Sequence, residues 1–301
     1  MANITLPAGQ LGGLRRGSGT GILLMLLAVM FIALIDPAAK YAGRQLPVLE
    51  VIWGRYAFAL LTMIALFRPR LNPKSWGVQR LGLQMLRACL LLSSTAFNFL
   101  ALRSLGLVEN QAIVMLGPVV ITGLSIVLFR EKVRAMIAMG LVVGLCGALV
   151  VIRPGGEVFK IASLYALGNV FSYAFYVLLS KRLLRTESAL SLNILAVLIP
   201  TIILSVLVIP VWQWPQDGYG WLALVLVGVI GGLGHFFLVT AHQYALASTL
   251  APLSYTQLCW ALIGGLLIFG ELPDIATALG ALTIVGSGVL IALGNRRRMA
   301  R

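Results

Sequence analysis

A set of side chains in this sequence has the chemistry to hold a polar solute: Asp36, Arg55, Asn98, Tyr173, His235, Tyr255, Gln257 and Trp260. Each falls within a long apolar stretch, where an ionisable or amide group is costly unless it faces a cavity or a partner. Asp36 lies near one end of the first stretch. Arg55 lies about 10 Å below the same surface in the second, from seven residues at 1.5 Å each. These depths allow an Asp36–Arg55 pair, which either locks the two spans together or serves substrate or proton coupling. Arg87, one turn inside the third stretch, is expected to snorkel to the surface. Ser93, Ser94 and Asn98 make a polar patch in that stretch. Asn169, Tyr173 and Tyr176 fall at i, i+4 and i+7 in the sixth and share one helix face. His235, seven residues before His242, either carries a proton or packs.

The ninth stretch is the richest. Ser254, Gln257, Ala261 and Gly264 share one face of a continuous helix, flanked by Tyr255 and Trp260. Polar and small residues with aromatics suit a cavity for an amphipathic metabolite, or else interhelical hydrogen bonding. The arginines favour an anionic or zwitterionic group, and the aromatics a flat one. Covalent chemistry has no equipment here. The sequence has no phosphate-binding Gly-Lys-Ser/Thr loop, no metal motif and no nucleophile–base pairing. An enzyme, a cofactor and a metal are therefore not expected. Cys89, Cys146 and Cys259 fall in apolar stretches without metal spacing and read as packing residues.

The elements that must position these side chains are membrane helices. The chain is 60% hydrophobic and 11% charged, against about 25% charged in a soluble domain. Stretches 20–39, 48–67, 84–102, 109–129, 135–152, 161–180, 188–209, 221–243, 249–269 and 274–293 are each apolar enough for a span of roughly 20 residues. The net charge of +14 does not mean nucleic acid. Placing the N-terminus inside puts sixteen of the 23 Lys and Arg on the cytoplasmic side and five outside, with Arg55 and Arg87 within spans. That asymmetry predicts both termini cytoplasmic. Glu50 reads as solvated. Glu109, Glu131 and Glu271 read as caps at the starts of the fourth, fifth and tenth spans, where the helix dipole favours a carboxylate.

The chain repeats itself. Phe129, Glu131, Ala138 and Gly140 recur without a gap as Phe269, Glu271, Ala278 and Gly280. Five spans per half invert the second half relative to the first, so an inverted-topology repeat with a midplane site is predicted. The glycine clusters, densest at Gly228, Gly231, Gly232 and Gly234, read as close helix packing, with a hinge in the eighth span as the alternative.

Several segments together carry a family resemblance: Ala33-Leu-Ile-Asp-Pro-Ala-Ala-Lys40, Leu49-Glu-Val-Ile-Trp-Gly-Arg55, Leu86-Arg-Ala88, Phe129-Arg-Glu131, Ala251-Pro-Leu-Ser-Tyr-Thr-Gln-Leu258 and Phe269-Gly-Glu-Leu-Pro273. From Gly21 to Leu293 the chain resembles the drug/metabolite transporter superfamily, in its EamA-domain branch. The resemblance implies an all-α integral membrane protein of ten transmembrane helices in two inverted five-helix repeats, at 20–152 and 161–293. Residues 1–19 and 294–301 would be cytoplasmic tails. It implies a secondary transporter of a small organic metabolite that is amino-acid-like, vitamin-like or opine-like, in the bacterial inner (cytoplasmic) membrane, as monomer or homodimer. Export by alternating access is the leading expectation. Uptake of a riboflavin- or S-adenosylmethionine-like substrate is the alternative, and a non-transporting membrane scaffold the remote one. Pro118 is matched by Leu258 in the second half, so a kink in the fourth span need not recur in the ninth.

Overall fold

Lipid offers the backbone no hydrogen bonds, so runs of Leu, Ala, Val and Ile close their own by forming helices. The computed structural model describes residues 18–67, 78–129, 135–153, 161–183, 186–187, 189–244 and 250–299. Glu131 lies outside the described residues, as does most of each basic hairpin. Among the described residues every regular element is helical. Helices α1 (Ser18–Ala42), α2 (Val48–Phe67) and α3 (Leu81–Leu102) come first. They are followed by α4 (Leu107–Val114), α5 (Gly117–Phe129) and α6 (Ala135–Ile152). The second half holds α7 (Ile161–Leu183), α8 (Ala189–Leu207), α9 (Gly218–Tyr244), α10 (Gln257–Gly264) and α11 (Ile275–Met299). By length and composition 6 spans can cross a membrane, and shorter apolar helices cover 138–152, 191–207, 253–269 and 275–290. The protein is a multi-pass membrane protein.

Two expected spans are broken. The fourth is α4 and α5 joined by a turn at Met115 and Leu116, with Pro118 in the first turn of α5. Proline lacks the N–H that an uninterrupted helix would need there. The ninth is not one α-helix. A 3-10 turn (Ala251–Thr256) leads into α10, which passes into a π-turn (Gly265–Phe269). Pro252 opens that 3-10 turn, and Gly270 ends the π-turn at a φ of 67°, a left-handed conformation that suits glycine. The continuous helix expected to carry Ser254, Gln257, Ala261 and Gly264 is thus composite, with Ser254 on the 3-10 turn and the other three on α10.

The two halves interlock. Helix α1 packs on α9, and α3 packs on α7; α2 packs on α8, and α6 on α11. The 251–264 segment lies on α1, while α4 and α5 lie on α7. Exchanging the halves maps each of these pairs onto another, or onto itself. Glycines set the closest approaches. A Cβ on Gly280 would stand 2.8 Å from the Gly147 carbonyl oxygen, and one on Gly228 would stand 2.6 Å from that of Gly54. Helix α9 is unbroken across its glycines, and Gly228, Gly232 and Gly234 pack closely on α2 and α1. Cys89, Cys146 and Cys259 are exposed on the bundle surface, not packed inside it. An apolar thiol facing lipid and one facing a core give the same hydropathy signal.

Candidate functional site

Polar side chains from both halves meet between α1, α3, α4 and α7, and Asn98 is the hub. Its amide nitrogen donates to Asp36 Oδ1 at 2.8 Å. Its amide oxygen accepts from Asn110 at 2.9 Å and Asn169 at 3.2 Å. Ser94, one turn before Asn98 on α3, donates to Asn169 Oδ1 at 2.6 Å. Four helices are thus tied by amides and one carboxylate. Most polar groups here have a partner, as a low-dielectric interior demands; the buried Asn110 Oδ1 has none among the described residues. Next to this cluster Gln111 on α4 donates to Gln257 Oε1 on α10 at 3.2 Å.

A second, cationic group lies toward the other end of the helices. Arg55 donates to Thr95 Oγ1 and sits 5.4 Å from the Tyr56 ring centre. Tyr56 shares a 2.9 Å hydrogen bond with the same Thr95. Asp36 and Arg55 do not pair directly. Each is instead met by α3, Asp36 through Asn98 and Arg55 through Thr95. Arg87 does not snorkel, because α7 and α8 offer acceptors on its inward side. It is 3% exposed and donates to Ser180 at 2.6 Å, the Leu192 carbonyl at 2.7 Å and Tyr176 at 2.8 Å. Its guanidinium also lies 4.5 Å from the Tyr176 ring centre. Tyr173 stacks on Tyr176, with ring centres 5.7 Å apart. Tyr173 and the half-buried His235 are both within electrostatic reach of Arg55 and Arg87. His242's side chain lies outside the described residues.

The structure therefore gathers Asp36, Arg55, Asn98, Tyr173 and His235 around the middle of the bundle. The three residues expected together in the ninth span diverge. Gln257 faces α4, through Gln111. Tyr255 packs with Leu258 against a core cluster around Ile284, its hydroxyl 1.3 Å from where a Cβ on Gly288 would stand. Trp260 packs on Met25, Val29 and Ala241.

Carboxylates at the helix ends reach across the bundle. Glu109 bonds the Gly106 N–H at 3.3 Å, as a cap of α4 should. Glu271 does not cap α11. The left-handed turn at Gly270 turns it back to accept the Leu107 N–H at 3.1 Å and to pair with Lys40 at 2.6 Å. Asp274 takes the capping role, accepting the Thr277 N–H at 2.9 Å. Glu50 is not solvated but 0% exposed, because the segment after α8 covers it and donates the Gln213 N–H at 3.0 Å. Glu187 does the corresponding job in the other half, accepting the Arg80 N–H at 2.8 Å and Gln84 Nε2 at 2.6 Å.

The Lys40 end of the bundle opens into a cleft of about 300 Å³. Lys40, Arg44 and Arg103 line it, with Val48, Phe99 and Leu102 among its apolar walls. Lys40 and Leu102 each lie four residues, about 6 Å of helix rise, beyond Asp36 and Asn98. The cleft stands one turn above the Asp36–Asn98 bond.

Sequence reading missed Thr95, Tyr56 and the Lys40–Glu271 pair. Thr95 was signalled only by completing a Ser-Ser-Thr run, and Lys40 only by standing four residues past Asp36.

The model of the EamA-like transporter family matches the chain twice, over residues 19–153 and 160–293. A riboflavin transporter of Vibrio cholerae is 28% identical over 284 residues, which is 93% of this chain and 95% of that protein. An S-adenosylmethionine uptake transporter of Rickettsia felis is 24% identical over 282 residues, 94% of this chain and 95% of that one. A solved crystal structure, 20% identical, superposes with a TM-score of 0.65 over 92% of this chain and 99% of its own and shares the fold.

Proposed function

The chain belongs to the EamA-like transporter family, and from that premise we propose that it is an uptake carrier for a flat, nitrogen-rich heteroaromatic metabolite of the riboflavin or S-adenosylmethionine kind. The observation that carries the reading is the Asn98 hub. A carboxylate and three amides from both halves converge between membrane helices, beside the stacked Tyr173 and Tyr176. Amides and a carboxylate match the donors and acceptors of a heteroaromatic ring edge, and tyrosine rings match its face. The name of the Rickettsia felis relative favours uptake over the export expected from sequence. Asp36, Arg55, Asn98, Tyr173, His235 and Gln257 form the proposed substrate site; Tyr255 and Trp260 support the ninth span from behind.

Ten spans in two inverted repeats accompany this proposal. The exchange symmetry of the helix pairs supports it, as do the matched reaches of Glu50 and Glu187. The site then lies at the interface of the repeats, where alternating access exposes it to each side in turn. With both termini cytoplasmic in a bacterial inner membrane, the Lys40 cleft faces outward. Purified protein in liposomes should take up labelled riboflavin or S-adenosylmethionine saturably, with a rate that responds to an imposed pH gradient if a proton is coupled. Absence of uptake of both, together with no ligand-induced rise in melting temperature, would refute the carrier reading.

A further inference from the structure

The cleft at the Lys40 end carries more positive charge than its walls neutralise. Of its three cations, Lys40 is spent: its ammonium pairs with Glu271 at 2.6 Å and donates to the Leu105 carbonyl at 2.8 Å. Arg44 is met by rings and not by a carboxylate, with Phe269 at 4.8 Å and Tyr41 at 6.0 Å from its guanidinium carbon. Arg103 is exposed; its backbone N–H donates to the Ala101 carbonyl, and its side chain makes no hydrogen bond or ion pair among the described residues. Among the described residues no carboxylate lines the cleft. Deeper in, Arg55 and Arg87 again face neutral acceptors, and among the described residues Asp36 is the carboxylate nearest the hub. A solute that enters here meets unneutralised arginines before the Asn98 hub and again beyond it.

Resting on the uptake reading above, we infer that this cleft is the entrance of the transport path and that Arg44 and Arg103 set its charge selectivity. The solute is a neutral or anionic heteroaromatic, and the sulfonium class, which carries a net positive charge, is rejected. The apolar walls, Val48, Phe99 and Leu102, accept a flat ring, while the two guanidinium groups repel a cation and draw an anion. A like charge about 4 Å away in a water-filled cleft costs roughly fivefold in occupancy. Two such charges amount to at least about tenfold against a cation, and that factor shrinks as salt screens them.

Riboflavin, which is neutral, and S-adenosylmethionine, which is cationic, are the probes. Their initial uptake rates are compared in liposomes holding the full chain, the neutral double variant Arg44→Gln/Arg103→Gln and the reversed variant Arg44→Glu/Arg103→Glu. The wild type should favour riboflavin strongly. The neutral variant should raise the S-adenosylmethionine-to-riboflavin ratio about tenfold, and the reversed variant further, with both shifts weakening between low and high salt. Both arginines are exposed, so melting temperature should hold; if the reversed variant does not fold, the neutral one still decides. A ratio that does not move in folded variants overturns the assignment, as does a wild type that takes up S-adenosylmethionine as well as riboflavin. Uptake of neither probe by folded wild type is a different result: it removes the carrier reading itself and this inference with it.

Discussion

Exchanging the two ends of the Asp36–Asn98 bond tests the centre of the site. Asn98→Asp alone turns a second carboxylate toward Asp36 across a contact now 2.8 Å long. The change removes a hydrogen bond to a charged group, about 1.5–3 kcal/mol. It also adds like-charge repulsion, of order 4 kcal/mol at 4 Å and an effective dielectric near 20. Side-chain rotation and proton uptake relieve part of this, so a net loss of about 3 kcal/mol is expected. The double change Asp36→Asn/Asn98→Asp should undo it. The amide at position 36 then donates to the carboxylate at 98, which still accepts from Asn110 and Asn169 as the native amide oxygen does. Stability should return to within about 1 kcal/mol of native, giving a coupling energy of about 2 kcal/mol or more. Unfolding by SDS titration in mixed micelles, followed by tryptophan fluorescence, measures both variants and Asp36→Asn, the remaining corner of the cycle. Uptake should not return with stability, because the carboxylate has moved from α1 to α3. A single variant as stable as the native chain, or a double variant no better than the single, would refute the reasoning.

Arg87→Lys should lower stability by about 2 kcal/mol in the same assay, because one ammonium cannot replace the fork that holds Ser180, Leu192 and Tyr176 together. Gly280→Ala should cost about 1–3 kcal/mol, since the new Cβ would meet the Gly147 carbonyl oxygen at 2.8 Å, backbone that cannot rotate aside; a melting temperature equal to native would contradict the close approach of α6 and α11. Arg153 and Thr277 hold Asp274 at about 2, below its ordinary 3.8. The charged form is the one stabilised, so its contribution is present above pH 3.8 and is lost as pH falls toward 2. Asp274 is 52% exposed, which limits the effect to about 0.5 kcal/mol: Asp274→Asn should melt slightly lower at pH 7 and match the native chain near pH 2. For the proposed topology, a cysteine placed at Lys74 in a background lacking Cys89, Cys146 and Cys259 should resist impermeant thiol reagents in intact cells, and one at Asp217 should react; the reverse pattern inverts the chain.

Hydropathy made the helical membrane class legible because a lipid span demands an apolar run. It also marked the candidate residues, because Asp36, Arg55 and Asn98 stand out against that run. What it could not give was their partners. Asn98 joins residues 62 positions before it and 71 after it, and nothing along a helix encodes which distant helix will lie beside it. Arg87 and Glu50 were misread for one reason: each is near a helix end by sequence, and each is covered by a segment from the other half. The ninth span was misread because apolar content is the same in 3-10, α and π geometry. Pro252 and Gly270 carried the only local sign of a break.

The interlocking of the halves has a consequence for how the chain is made. A ribosome delivers residues 1–153 before the partners of those residues exist. Arg87 then lies in a nascent helix whose three acceptors, on Ser180, Leu192 and Tyr176, are still unsynthesised, and Gln84 waits for Glu187. A cation without acceptors is poorly tolerated in hydrocarbon. Residues 1–153 are therefore expected to stay beside the insertion machinery, or to keep α3 close to the surface, until α7 and α8 arrive. The expected outcome is that both halves mature together, and that a truncated first half is a substrate for membrane quality-control proteases.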